Sequence, residues 1–269
     1  VQILSLDIKV KKMVEYTSTE MMAVCGAHAV KDGERVFAGT GLPVLGAMLA
    51  KVTHAPNAII IYEGGNVDTQ NKDLALSVAD SRLGYRAAAS IGLIETLGFL
   101  MMGGKVDVGF LGAAQIDEFG NINTSYIGDF DAPKVRLPGS GGGNDIASSA
   151  GRIILMFTHD ARKFVKKLDY LTSPGHLSGP GSREKLGLIG GGPSLVVTDK
   201  CQMDFDPDTK RIRLKSVHPG ITVDWVKDNV MFDLSIGKDV PTTAEPTKHE
   251  LEKLRGLDPQ GIYLAKGQK

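Results

Sequence analysis

Ala58-Ile59-Ile60-Ile61-Tyr62 is a short, β-branched apolar run that stops at Glu63-Gly64-Gly65. A run of that length, ended by glycines, reads as a strand buried on both faces. Strands of this kind belong to parallel sheets covered by helices. The sequence on either side agrees. Thr17-Ser18-Thr19-Glu20 is a capping box ahead of a periodic apolar run, Met21 to Val30, which Asp32-Gly33 ends. Arg35 to Ala38 reads as a strand, Gly39-Thr40-Gly41 as a loop, and Pro43 to Val52 as a helix with proline in its first turn. After Glu63 come a helix over Gly92 to Met102 and a strand over Val106 to Leu111. This alternation predicts an α/β fold: an open, mainly parallel sheet with helices on both faces.

Farther on, Gln115 to Ser125 reads as a hairpin about Glu118-Phe119-Gly120-Asn121, and Asn144 to Ala150 as a short helix. Strands are expected at Arg152–Thr158, Lys166–Leu171 and Leu195–Thr198, the last two divided by a Gly/Pro-rich loop. Gln202–Phe205 and Arg211–Val217 form a second hairpin about Asp206-Pro207-Asp208-Thr209. The last fifty or so residues read as helical and peripheral. No repeat or linker divides the chain, so residues 15–269 are expected to form one domain. Residues 1–14 are expected as an N-terminal extension: the chain begins with Val, and Met13 precedes the first helix signal.

Composition narrows the function classes. The chain has 269 residues with 31 Lys+Arg against 31 Asp+Glu. That balance excludes a nucleic-acid binder relying on bulk positive charge. No apolar run approaches the ~20 residues of a membrane-spanning helix. There is no secretory signal pattern, and Cys25 and Cys201 read as buried free thiols, so a reducing cytoplasm is the expected location. Glycine is abundant, 33 of 269 residues, and gathers in loops. Tight turns, or backbone close to a ligand, are the physical reasons for such usage.

Three loops are candidates for chemistry. In open parallel sheets ligands sit beyond the carboxyl ends of strands. Glu63 stands at such an end, only partly solvated, where its nucleophilicity or basicity can be tuned. The glycines after it would admit a bulky ligand. From position alone, a loop carboxylate that merely caps a neighbouring helix is the favoured reading. Gly139-Ser140-Gly141-Gly142-Gly143-Asn144-Asp145 opens the short helix, and its N–H groups can bind phosphate or an oxyanion. A flexible turn is the alternative. It is not a Walker loop, because no Lys-Ser/Thr follows the last glycine. Gly39-Thr40-Gly41-Leu42-Pro43 is either a pocket loop or a plain strand-to-helix turn. The six histidines (28, 54, 159, 176, 218 and 249) lack zinc spacing, so no metal site is expected. There is no GxSxG elbow. Asp129 and Asp131 lack the calcium-loop pattern. Arg162, Lys163, Lys166 and Lys167 form a short basic cluster, read as a solvated face or a phosphate or subunit contact.

Taken in order, the motifs resemble the beta subunit of family I CoA-transferases, nearest the glutaconate type. The matching pieces are Gly39–Pro43, Lys51-Val52 to Ala55-Pro56, Glu63-Gly64-Gly65, Phe110 to Asp117 with Gly120-Asn121, Ile127-Gly128-Asp129, Gly139–Asn144, Leu168 to Gly175, Gly179 to Glu184 and Leu195 to Asp199. They span about residues 15–235. The resemblance implies the CoA-transferase, NagB/RpiA-like sheet. It implies a strand-end glutamate, Glu63 here, that attacks an acyl-CoA and becomes a glutamyl-CoA thioester. It further implies Gly141, Gly142, Gly143 and Asn144 as oxyanion or CoA contacts, and Gly41 and Gln115 as pocket residues. No cofactor is tightly bound in such enzymes; the coenzyme A thioester is a substrate. A separate alpha subunit supplies much of the acid pocket, so a hetero-oligomer is expected. The sequence departs from some relatives, which carry Glu-Asn-Gly after the strand, and Asn144 replaces a methionine of the family's glycine segment. Two further readings stand: a CoA-thioester hydrolase or decarboxylase on the same scaffold, and a non-catalytic ligand sensor.

Overall fold

The computed structural model describes residues 15–39, 41–70 and 74–264. The expected extension over residues 1–14 lies outside the described residues, as does Thr40. The strands are β1 (Arg35–Phe37), β2 (Ile59–Ile61), β3 (Asn66–Val67), β4 (Ala89–Ser90), β5 (Val108–Leu111), β6 (Gln115–Ile116), β7 (Ile122–Asn123), β8 (Tyr126–Gly128), β9 (Pro133–Arg136), β10 (Arg152–Met156), β11 (Pro193–Val197), β12 (Cys201–Phe205), β13 (Ile212–Val217) and β14 (Ser235–Ile236). Ten of them form one sheet in the order β14-β13-β12-β11-β10-β5-β1-β2-β3-β4; β6-β7 and β8-β9 are separate hairpins. The central strands β11, β10, β5, β1 and β2 are parallel, and antiparallel pairs extend both sides.

The helices are α1 (Ser18–His28), α2 (Leu42–Thr53), α3 (Gly143–Ser149), α4 (Ser182–Lys185), α5 (Val223–Asp228) and α6 (Lys248–Leu257), with a π-helix at Ile94–Met101. They cover both faces. Val36, Ile60 and Ile154 pack one way, under Leu45 and Leu49 of α2, while Phe37, Ile61 and Ile153 pack the other way, under Ile146 of α3 and Val226 of α5. Alternate residues of buried strands must face opposite layers, which is why these strands read as continuous apolar runs. Each fully buried aliphatic side chain contributes about 1.5–3 kcal/mol. Cys25 and Cys201 are buried in these layers, and burial pushes both thiols up to about 12.

Both strand-pair hairpins form where expected, and Thr17 and Glu20 complete the capping box. Two expectations need correction. Lys166–Leu171 is not a strand. The Asp169 N–H donates to Gln115 Oε1 instead of to a neighbouring backbone, and its carboxylate accepts from Gln115 Nε2 and the Gly128 N–H. Side chains have replaced the ladder there. Nor is the C-terminal region peripheral. Leu251 and Leu254 of α6 are fully buried, and Tyr263 and Leu264 join the core beside α1 and α2. Glu20 holds Arg255 at 2.6 Å across this contact. The apolar helix expected over Gly92–Met102 forms, but wound wide, with the Met102 N–H donating to the Leu97 carbonyl five residues back.

Candidate active site

The chain runs from β1 to β2 on one side, then returns to β5 on the other side of β1. Such a reversal opens a crevice at the carboxyl ends of the strands. Glu63 follows β2 and enters this crevice. The N-terminus of α3 enters it from the β5–β10 side, because a helix leading into a parallel strand runs against the strand direction. The two meet: the Gly142 N–H donates to Glu63 Oε1 at 3.1 Å across 79 residues of sequence. Glu63 is half-buried and Gly142 is buried. A hydrogen bond to a carboxylate is stronger than one between neutral groups, and it fixes the rotamer of the acceptor.

Gly142 has ordinary backbone angles, φ −75° and ψ 2°. Its lack of a side chain matters for space: a Cβ there would stand 3.1 Å from Glu63 Oε1 and 3.3 Å from Leu97 Cδ2. Leu97 of the π-helix thus packs against the glycine run beside its contact with the carboxylate. Gly141 is also close, its Cβ position 3.8 Å from Glu63 Oε1.

The glycines after Glu63 serve the fold. They do not open the way for a ligand, as expected from sequence; the chain's own backbone fills that space. A Cβ on Gly64 would lie 2.4 Å from the Val78 carbonyl, and one on Gly65 1.8 Å from the Ile91 carbonyl. Gly65 also has φ +89°, a conformation that side chains disfavour. Its N–H closes the turn back to Tyr62 at 2.9 Å. These contacts aim Glu63. Gly65→Ala is expected to destabilise the protein by about 2–4 kcal/mol, from backbone strain and overpacking together. Denaturant unfolding checks this, and a loss under about 1 kcal/mol would contradict it.

The remaining candidates divide. Gly143 does not offer a second free N–H; it donates to the Ser140 carbonyl at 2.7 Å and closes the glycine turn. Asn144 is exposed and ties α3 to the neighbouring loop, its Nδ2 donating to the Thr172 carbonyl at 3.0 Å. Gln115 is buried at 6% exposure with its amide engaged by Asn123 and Asp169, so it braces the β6–β7 hairpin. Gly41 begins α2 with φ +98° after β1, on the same edge of the sheet as Glu63. The structure therefore brings Glu63, Gly141 and Gly142 together, and uses Gly143, Asn144 and Gln115 to build the loops around them.

A cavity of about 300 Å³ adjoins the glycine run. Leu111, Gly112 and Ala114 after β5 line it, with Ile122, Leu137, Ser140, Gly143 and Ser173. Sequence reasoning missed Leu97 and Ser173. Ser173 lies within the Thr172-Ser173-Pro174-Gly175 motif, which was the available signal; nothing in the sequence marks Leu97. A larger depression near Arg35, Asp107 and Arg152 lies at the amino ends of the strands. Its charges pair with one another, Arg35 with Asp107 and Arg152 with Glu34. It is a charged rim and not a second crevice. No group of His, Cys, Asp and Glu suited to a metal occurs among the described residues. No helix among them is long and apolar enough to cross a membrane.

A half-buried carboxylate at a strand end, held by a backbone N–H at a helix start beside an apolar cavity, has the geometry that covalent acyl chemistry needs. Comparison with known proteins identifies the class. Residues 19–229 match the Coenzyme A transferase family model. The chain is 42% identical over 246 residues to the B subunit of 3-oxoadipate CoA-transferase from Pseudomonas knackmussii, covering 91% of this chain and 95% of that protein. It is 43% identical over 256 residues to the B subunit of glutaconate CoA-transferase from Acidaminococcus fermentans, covering 93% and 95%. The crystal structure of the A. fermentans glutaconate CoA-transferase superposes with a TM-score of 0.87 at 38% identity, over 93% of this chain and 98% of that one. The chain belongs to the coenzyme A transferase family. More distant is the cholesterol ring-cleaving hydrolase IpdB subunit of Rhodococcus jostii, 28% identical over 257 residues and covering 93% and 96%. The decarboxylase AibA/AibB shares the fold, with a TM-score of 0.79 at 22% identity, over 93% of this chain and 98% of that one.

Proposed function

We propose that this chain is the β subunit of a heteromeric enzyme that moves coenzyme A between an acyl-CoA and a carboxylic acid, through a thioester on Glu63. The observation that carries the reading is the Gly142 N–H on Glu63 Oε1. Glu63 Oε2 attacks the carbonyl carbon of the acyl-CoA. The CoA thiolate leaves, and a mixed anhydride forms. The thiolate then attacks Glu63 Cδ, the first acid departs as its carboxylate, and glutamyl-CoA remains. The second acid attacks Cδ in turn and repeats the sequence in reverse. Each attack at Cδ pushes negative charge onto Oε1, the atom that Gly142 already contacts. A donor placed before the charge develops needs no reorganisation when it does. Covalent catalysis divides one hard exchange into easier steps.

The partner is an α subunit on a separate chain, in keeping with relatives that are themselves B subunits by name. The acids of those relatives, 3-oxoadipate and glutaconate, favour a dicarboxylate for this enzyme as well. Cytoplasmic location fits two buried free thiols. The Glu63 carboxylate, a nucleophile able to carry CoA between two acids, favours transfer over the hydrolase and decarboxylase readings. Product partition tests this. With its α partner and no acceptor acid, the enzyme is expected to leave acyl-CoA intact over many turnover times, and to form a new acyl-CoA once acceptor is added. Steady release of free CoA without acceptor would identify a hydrolase.

A further inference from the structure

The steps above give no role to the buried hydroxyl of Ser173. Ser173 is 1% exposed, and its Oγ has no hydrogen-bond partner among the described residues. Buried hydroxyls are nearly always paired, so an orphan calls for an explanation. Its surroundings make the lack of a partner conspicuous. The backbone of Ser173 pairs with Ile122 in both directions, and the hydroxyl of Thr172 beside it meets Ser125 and the Thr124 N–H. Only the Ser173 hydroxyl is left over in this segment. It lies 3.4 Å from where a Cβ on Gly143 would stand, so it abuts the glycine run one residue from the donor to Glu63.

Ser173 also lines the cavity of about 300 Å³. The walls are chiefly Leu111, Ala114, Ile122, Leu137 and Pro138, and among the described residues no Lys, Arg or His lines it. The hydroxyl of Thr124, also in the wall, already donates to the Gly139 carbonyl at 2.8 Å. The cavity is therefore largely apolar and sized for a small aliphatic group; the Ser173 hydroxyl is its buried uncommitted side-chain donor, the hydroxyl of Ser140 belonging to an exposed residue at its edge. A carboxylate inside it would be desolvated without a counter-charge, which is strongly unfavourable.

We propose that this cavity is an acyl pocket for a short aliphatic chain carrying a neutral acceptor oxygen, an oxo or hydroxyl group, to which the Ser173 hydroxyl donates. The inference rests on the transferase reading of Glu63. Any second carboxylate of the substrate then points out of this cavity, toward groups the partner subunit supplies.

The test uses the complete enzyme with its α subunit, wild type and Ser173→Ala. The donors are hexanoyl-CoA and its 3-oxo and 5-oxo analogues. Wild type is expected to favour one oxo analogue over hexanoyl-CoA in kcat/KM. In Ser173→Ala that preference falls about tenfold, the worth of one hydrogen bond, while hexanoyl-CoA is used as well as before. The fold is expected to be at least as stable, since the substitution removes an unpaired group. Equal losses for all three donors would place Ser173 on the CoA arm or in the scaffold and overturn the proposal. Unchanged ratios would overturn it too. Thermal stabilisation of the complex by each acyl-CoA reads the same preference without turnover. An enzyme that transfers CoA to no acid would refute the transferase reading, and the stabilisation series would still decide what Ser173 recognises.

Discussion

Glu63→Gln is expected to lower CoA transfer by at least about 10³-fold while leaving the protein folded. The amide keeps the shape of the side chain, and its oxygen can still accept from the Gly142 N–H. It cannot act as the leaving and attacking carboxylate of an exchange. Stability is therefore expected to stay within about 1 kcal/mol of wild type, so lost activity reports chemistry. Glu63→Asp separates charge from reach. It keeps the carboxylate but withdraws it by one methylene, and a misplacement near 1 Å typically costs about 10²-fold. Steady-state rates and a thermal melt of each variant, in complex with the α subunit, check both expectations. A Glu63→Gln enzyme within about tenfold of wild type would remove the nucleophile from the account.

The second large effect is at Gly142. Its backbone angles suit alanine, so Gly142→Ala carries no conformational penalty. The added methyl would press on Glu63 Oε1 at 3.1 Å and on the tip of Leu97 at 3.3 Å. Both are ends of flexible side chains and can yield, and the carboxylate yields by leaving its N–H donor. Loss of one such donor costs ~3 kcal/mol of transition-state stabilisation, or about 10²-fold or more in kcat. Assays of kcat and KM check this. The fall is expected in kcat, with little change in KM for acyl-CoA, because the donor acts on charge that develops only during the attacks at Cδ. A rise in KM with unchanged kcat would make Gly142 a binding contact.

Sequence and structure agree best where local chemistry dictates the outcome. The run Ile59-Ile60-Ile61 reads as a buried strand, and β2 buries Ile60 and Ile61 on opposite faces while Ile59 at its start stays exposed; Glu63 at its end follows directly. The Thr17–Glu20 capping box and the proline of α2 are likewise local signals. Glycine was harder to interpret. The letters Gly64-Gly65 and Gly142-Gly143 look alike, yet Gly64 and Gly65 accommodate the Val78 and Ile91 carbonyls, while Gly142 accommodates the glutamate itself. Which neighbour a glycine admits is a property of the assembled fold. Gln115 shows the same limit: its amide works for Asp169, 54 residues away, and no spacing rule reveals such a partner. Lys166–Leu171 misled for the same reason, its backbone having been claimed by a distant side chain. Ser173 was legible as part of a motif but not as an orphan hydroxyl, since pairing exists only in three dimensions.

The central claim is that Glu63 carries CoA as a covalent thioester, and a chemical trap tests it most directly. The enzyme with its α subunit is mixed with an acyl-CoA, treated with borohydride, and digested for mass spectrometry. The Glu63 carboxyl is expected to be reduced to an alcohol only when acyl-CoA is present, and Glu63→Gln to show no such change. Acyl-CoA consumed while the Glu63 peptide stays unmodified would contradict it.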